Sequence, residues 1–272
     1  MSDIILVPPE ESVPIFPSSS TFAHGFGLFE TICYEDGKLQ FWRDHWVRLS
    51  KSSKYFALVL PDEDAVLAGL RQLVVELGLE SAIVKLSLVK DMAGSRLYVY
   101  TRPPFPEPDS RTLQLDRSCP IFERSALAGH KTHNYMEAMH LLGLARAQGY
   151  YDSLRVDSMG KLAETTTSNV FFSEDGKLYT PSLATGILPG VTRAALLRSN
   201  ELDIEEGEFS PERLLEADGV FVTNATSGPV QIEAISGLAP ATLTNYKGKN
   251  FDFELILSKF SQIQAEHALK LI

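Results

Sequence analysis

Residues 129–137 read GHKTHNYME, a lysine between two histidines just ahead of an apolar-periodic run, AMHLLGLARAQGY. Most lysines are solvated surface charges. One that does chemistry is an amine nucleophile. Residues 164–169, ETTTSN, set one acid before five small polar residues, in the middle of an otherwise apolar strand pair, SLRVD and NVFFS. Polar groups that enter a core need partners or cost about 1–3 kcal/mol each. The segment is therefore either a Thr-rich edge strand with an outward Glu164, or a carboxylate at the floor of a cleft facing a cation or a heterocyclic nitrogen. In TGILPGVTRAALL (185–197), Gly190 closes a turn and Val191 and Thr192 open a helix. Such a start is a plain cap or, with its N–H groups and hydroxyl, a phosphate seat. FVTNATSGPV (221–230) ends a hydrophobic strand in small hydroxyl residues, which contact phosphate or make ordinary turns. His130, His133 and His140 are spaced by three and then seven, and no HExxH is present. Helical zinc ligands require i, i+4 spacing with an acid, so no metal site is expected.

The chain that must position these groups has 272 residues, enough for one large or two ordinary domains. It carries 25 Lys plus Arg against 35 Asp plus Glu, a formal charge of −10. With no basic run, nucleic acid and anionic membrane are disfavoured as partners. Cys33 and Cys119 are too few for a disulfide framework or a four-thiolate zinc site, and read as reduced core residues. The start, MSDIILVPPEESVPIFP, lacks a basic n-region, and no apolar stretch reaches a membrane span. A cytoplasmic location is expected.

Residues 26–42 alternate and break at Glu35-Asp36-Gly37, which predicts a β-hairpin. Helices are expected over 43–57 and 62–78, the second closing at Gly78. IVKLSLV and RLYVYTR alternate as strands around a turn at Asp91 to Gly94. A proline-rich stretch, PPFPEPDS, marks a boundary within 103–128, with a strand over 112–122. A helix at 133–148 then precedes short strands interleaved with helices at 190–200, 210–216 and 251–268. This divides the chain into an N-terminal α+β domain (1–115), a linker (116–128) and a C-terminal domain (129–272).

Taken in order, HKTHNY, AETTTSN, GVTR and TNATSGP, with HGFGLFETI and RDHWVRLSKSS before them, resemble the class IV (fold type IV) pyridoxal-phosphate enzymes. These are branched-chain aminotransferases, D-amino-acid aminotransferases and 4-amino-4-deoxychorismate lyases. The resemblance runs from about residue 24 to residue 236. It implies a two-domain α+β fold: an N-terminal α/β sandwich and a C-terminal pseudo-barrel of mixed strands with flanking helices. It also implies pyridoxal 5'-phosphate at the interdomain cleft, a small-molecule amino substrate and a homodimer. On that resemblance Lys131 is the Schiff-base lysine and proton shuttle, and Glu164 pairs with the pyridine nitrogen. Arg48, Val191, Thr192 and Thr226 fall in the phosphate-binding segments. Asn169 closes the cofactor-binding ETTTSN stretch, and Tyr135 falls near the cofactor's phenolic oxygen. The chemistry agrees, because this cofactor needs an amine, an acid for its ring nitrogen and an anion cup.

GFGLFETI, the short KTHNY and TNA (223–225) are similar to the lyase branch. Phe29 stands where the D-amino-acid branch has a tyrosine. DMAGSRLY (91–98) departs from the family pattern: Lys90 replaces an arginine and two glycines are missing, while Arg96 keeps its place near the substrate carboxylate. The resemblance thus leans to 4-amino-4-deoxychorismate lyase, which breaks a C–O bond to release pyruvate and 4-aminobenzoate. A branched-chain or D-amino-acid aminotransferase is the alternative. A cofactor-binding or interaction module without turnover is the alternative of another class.

Overall fold

The computed structural model describes residues 3–8, 11, 17–91, 94–103, 108–239, 243–246 and 251–272. The chain divides into two units. The first comprises Met1–Phe105, His130–Asn134 and Gln264–Ile272; the second comprises Pro106–Gly129 and Tyr135–Ile263.

In the first unit, strand β1 (Asp3–Val7) and a short helix α1 (Ser20–His24) precede the expected hairpin of β2 (Gly27–Glu35) and β3 (Lys38–Leu39). Asp36 and Gly37 both take positive φ, 49° and 73°, as a two-residue turn of matching twist requires. Helices α2 (Trp42–Tyr55) and α3 (Glu63–Glu76) follow, then β4 (Ser81–Lys90) and β5 (Ser95–Arg102). Asp62 caps α3 by accepting from the Asp64 and Ala65 amides. Val66, Leu70, Leu73 and Val74 put one buried stripe on α3. Burying each such side chain stabilises the fold by roughly 1.5–3 kcal/mol.

The first sheet has the order β1-β5-β4-β2-β3, completed by a C-terminal strand, Leu269–Lys270. Period-2 alternation splits β2 cleanly. Leu28, Glu30, Ile32 and Tyr34 are buried with the hydrophobic core, while Phe29 and Thr31 lie on the other face. Pairing of Phe29 with Ser87, Thr31 with Lys85, and Arg96 with Val89 places these residues on that same second face.

The second unit opens with β6 (Thr112–Ile121), α4 (Met136–Ala147) and β7 (Asp152–Asp157). β8 (Leu162–Thr165), β9 (Asn169–Glu174) and β10 (Lys177–Pro181) lead to α5 (Val191–Leu197) and β11 (Ile204–Gly207). β12 (Gly219–Asn224), β13 (Gly228–Ile232), β14 (Ala234–Ser236), β15 (Leu243–Asn245) and α6 (Phe253–His267) complete it, the end of α6 passing to the first unit. The ten strands form one sheet that branches at β9, which also pairs with β12. Its core gathers Leu154, Val170, Phe172, Val220, Val222 and Ile232.

Three expectations are corrected. The segment 116–128 is no linker through its first half, because β6 runs to Ile121 and pairs in parallel with β7. The helix expected from 133 begins at Met136, because residues 131–133 spend their backbone groups on β2. Residues 211–215 form a 3₁₀ turn, with Pro211 at its start. Both cysteines are free thiols but only half-buried. Among the described residues, no helix is long and apolar enough to cross a membrane.

Candidate active site

Lys131 lies in a short extended segment rather than in a helix. The Phe29 amide donates to the Lys131 carbonyl at 3.0 Å, the His133 amide donates to the Gly27 carbonyl at 2.9 Å, and Leu28 bridges Thr132. The neighbouring histidines fix this segment. His130 meets the Ser52 hydroxyl at 2.9 Å and stacks on Tyr55, while His133 meets the Ser87 hydroxyl at 2.9 Å and packs edge-on to Phe29. Burial lowers the pKa of both rings, so they stand as neutral anchors.

The Lys131 Nζ lies 4.3 Å from the centre of the Phe29 ring. A second lysine, Lys85, lies 3.9 Å from the same ring and donates to the Thr31 hydroxyl at 2.8 Å. Burial, then the Lys131 and Arg102 cations, pull the Lys85 ammonium down to about 7. The sequence reading missed Lys85. Its only signal was a lysine inside an apolar strand, IVKLSLV.

That depression makes stability pH-dependent. Below about pH 7 the folded and unfolded chains both carry the Lys85 charge, so its burial cost is complete. Between about 7 and the ordinary value of 10.5, the folded chain has shed the proton and the cost shrinks as pH rises. Lys85→Met is therefore expected to raise the melting temperature by roughly 2–6 °C at pH 6 and by less at pH 9. Thermal scans of both proteins at the two pH values decide it, and a larger gain at pH 9 contradicts the assignment.

On the buried face of the sheet, Arg48 of α2 grips Glu30 side-on, Nε to Oε1 at 2.8 Å and Nη2 to Oε2 at 2.6 Å. His45, one helical turn earlier, meets Oε2 at 2.7 Å. Burial alone would raise the Glu30 carboxyl, but Arg48 and His45 outweigh it and hold it down at about 2. Burial, helped by the Arg48 and Lys131 cations, keeps His45 neutral against the pull of Glu30. Arg96, on the other face, pairs with Asp91 at 2.8 Å.

In the second unit the ETTTSN segment closes around a carboxylate that precedes it. Asp152 is fully buried and accepts from the hydroxyls of Thr165, Thr166 and Thr167 and from the Ser153 amide. The threonines thus satisfy Asp152 and shape a turn with Glu164 on one side and Asn169 on the other. Glu164 is half-buried and held at both oxygens. Asn169 Nδ2 donates to Oε2 at 2.9 Å, and the Leu188 amide donates to Oε1 at 3.0 Å. Asn169 Nδ2 also reaches the Leu188 carbonyl at 2.9 Å. This close approach explains Gly190, where a Cβ would meet Asn169 Oδ1 at 1.9 Å.

Asn224, the middle residue of TNA at the end of β12, joins the remaining segments. Its Nδ2 donates to Ser168 Oγ at 3.1 Å, and its carbonyl accepts from Thr192 Oγ1 at 2.9 Å. Its Oδ1 accepts from the amides of Thr226 and Ser227 and from the Thr226 hydroxyl. Both donors of Thr226 therefore close this turn. Val191 and Thr192 occupy the first turn of α5, which no side chain caps. Tyr135 immediately precedes α4 in the second unit, while Lys131 belongs to the first.

The chain thus carries an amine against an aromatic ring, a carboxylate locked by an amide and a main-chain N–H, and an uncapped helix start behind a glycine. It also has an arginine held by a buried acid. This donor set fits pyridoxal phosphate, which asks for a nucleophilic amine, a ring-nitrogen partner and an anion seat. Among the described residues, no three His, Cys, Asp or Glu side chains converge as metal ligands do.

Comparison with known proteins gives the same reading. The aminodeoxychorismate lyase of Vibrio harveyi is 27% identical over 84% of this chain and 89% of that protein. The branched-chain-amino-acid aminotransferase of Escherichia coli is 32% identical, over 39% of this chain and 35% of its own length. A candidate 4-amino-4-deoxychorismate lyase from Legionella pneumophila superposes with a TM-score of 0.84 at 24% identity, covering 97% of this chain and 99% of that one. A hypothetical aminotransferase from Mycobacterium tuberculosis in its PLP-bound form gives 0.78 at 20% identity, over 95% and 94%. The family model for amino-transferase class IV matches residues 27–235, most of the chain. This protein therefore belongs to the class IV aminotransferase family and is a pyridoxal-phosphate-dependent enzyme.

Proposed function

We propose that the enzyme is a 4-amino-4-deoxychorismate lyase, cleaving a C–O bond to release pyruvate and 4-aminobenzoate. The observation that carries this is the extent of similarity. In sequence, the lyase of Vibrio harveyi matches along nearly its whole length, whereas the branched-chain aminotransferases match over about a third of theirs. The substrate carries two carboxylates, and the second face of the first sheet offers Arg96 and the partly protonated Lys85 on neighbouring strands. Phe29, within reach of both lysine ammonium groups, adds an aromatic ring to that face.

Pyridoxal phosphate, when bound, supplies an electron-withdrawing ring conjugated to the substrate's amine. Lys131 holds the cofactor covalently and, once released, moves the proton at the substrate carbon bearing the amine. Glu164 holds a proton on the pyridine nitrogen, and Asn169 and Leu188 hold Glu164. Arg48 is the side chain of the first unit suited to a phosphate, and the Val191 and Thr192 amides at the uncapped start of α5 are the donors of the second unit suited to one. By the family resemblance, Tyr135 would contact the cofactor's phenolic oxygen.

Incubation with 4-amino-4-deoxychorismate alone is expected to give 4-aminobenzoate and pyruvate in equal amounts. An enzyme that yields neither, yet exchanges amino groups between branched-chain amino acids and keto acids, would overturn the lyase assignment.

The enzyme is further proposed to act as a cytoplasmic homodimer. Support comes from α4, where Met136, Met139 and Leu144 are 86%, 47% and 47% exposed, an apolar stripe of the kind that marks association surfaces. The two free thiols suit a reducing compartment. Light scattering is expected to give twice the chain mass, with Met136→Glu and Met139→Glu together shifting it toward the monomer. A wild-type monomer at micromolar concentration contradicts this.

A further inference from the structure

Glu30 is an acid on the wrong face of its strand. It alternates in phase with Leu28, Ile32 and Tyr34, which belong to the core, and it is 1% exposed. A buried ion pair rarely stabilises a fold more than well-packed apolar side chains of the same volume. Stability alone therefore gives little reason to keep a carboxylate here. Geometry gives one. The side-on contact uses Arg48 Nε and Nη2, so it fixes the plane of the guanidinium and the direction of Nη1. His45, fully buried and neutral, meets Oε2 and keeps the carboxylate from rotating. Arginine otherwise loses considerable side-chain entropy whenever it is fixed on an anion. Here that entropy is lost on folding.

We propose that Glu30 is a positioning residue, steadied by His45, that pre-orients Arg48 and so sets the preference of the apoenzyme for phosphorylated over unphosphorylated pyridoxal. This rests on the reading that Arg48 meets the cofactor phosphate. A residue that only stabilised the fold would alter binding of both vitamers alike. A residue that orients the phosphate-binding arginine alters one of them.

The test is equilibrium binding of pyridoxal 5'-phosphate and of pyridoxal to the apoenzyme, followed by absorbance. Wild type, Glu30→Gln, Glu30→Asp and Arg48→Gln are compared, with folding checked by circular dichroism. Glu30→Gln is expected to weaken pyridoxal-phosphate binding about 10–100-fold, the range found when groups that orient a ligand's partner are lost. Pyridoxal binding should change less than about threefold. Glu30→Asp keeps the charge but withdraws it by one methylene, and should lose about 3–10-fold for the phosphorylated form only. It carries the test if Glu30→Gln does not fold. If Arg48→Gln abolishes the preference while folded Glu30 variants retain it in full, the positioning role is wrong. If Arg48→Gln itself leaves the preference intact, the phosphate reading of Arg48 fails, and the role of Glu30 fails with it.

Discussion

Lys131→Ala is expected to leave a folded protein whose turnover falls by at least about four orders of magnitude, the scale of losing a nucleophile that also moves the proton. The segment around it is held by main-chain bonds from Phe29 and His133 and by the side chains of His130 and His133, none of which involves the lysine Nζ. The fold should therefore survive, with a melting temperature within a few degrees of wild type. The cofactor should still associate weakly through its phosphate, but borohydride should no longer fix it to the chain. Lys131→Arg should not rescue activity, because a guanidinium stays protonated and cannot act as the amine. Turnover within tenfold of wild type in Lys131→Ala would remove the lysine from the chemistry.

Glu164→Gln tests how the ring nitrogen is protonated. A carboxylate beside that nitrogen favours the charged ring, which is the better electron sink. The amide retains size but not charge, so proton removal at the substrate carbon should slow by about two to four orders of magnitude while the cofactor remains bound. A local structural cost is expected too. Asn169 Nδ2 and the Leu188 amide both donate to the two Glu164 oxygens, and a glutamine offers only one oxygen between them. One donor is left facing an NH₂ group, at a cost of about 1–3 kcal/mol. An outward glutamate on an edge strand would show neither effect, changing stability by no more than about 0.5 kcal/mol. Single-turnover rates and thermal melts of the isosteric variant separate the two cases.

Residue types singled out Lys131, Glu164 and the α5 start within about six residues each, and the family resemblance is what gives them their expected roles. Strand alternation and turn chemistry likewise placed the 26–42 hairpin, with Asp36 and Gly37 at its turn. The features that were not legible depend on partners distant in sequence. HKTHNY reads as the mouth of a helix because its helical pattern begins at once. Only the pairing of Lys131 and His133 with Phe29 and Gly27, about a hundred residues earlier, keeps it extended. The threonines after Glu164 read as polar residues of an edge strand or a cleft floor, and only the structure shows that their hydroxyls go to Asp152. Lys85 reads as an outward strand residue, and its depressed pKa comes from burial and from Lys131 and Arg102, none of them near in the chain. Glu30 did leave a trace. It is an acid in phase with core-facing residues, followed by His45 and Arg48 on one face of a helix, and that pattern was available to be read.

The most direct test follows from the two lysines that share the Phe29 ring. Lys85, held at about 7, is partly deprotonated at neutral pH and so is itself an amine able to take the cofactor. In the proposed chemistry the covalent link is made by Lys131. Borohydride reduction of the wild-type holoenzyme, followed by proteolysis and mass spectrometry of the labelled peptide, decides between them. The label is expected on Lys131, within the HKTHNY segment; a label on Lys85 contradicts the account.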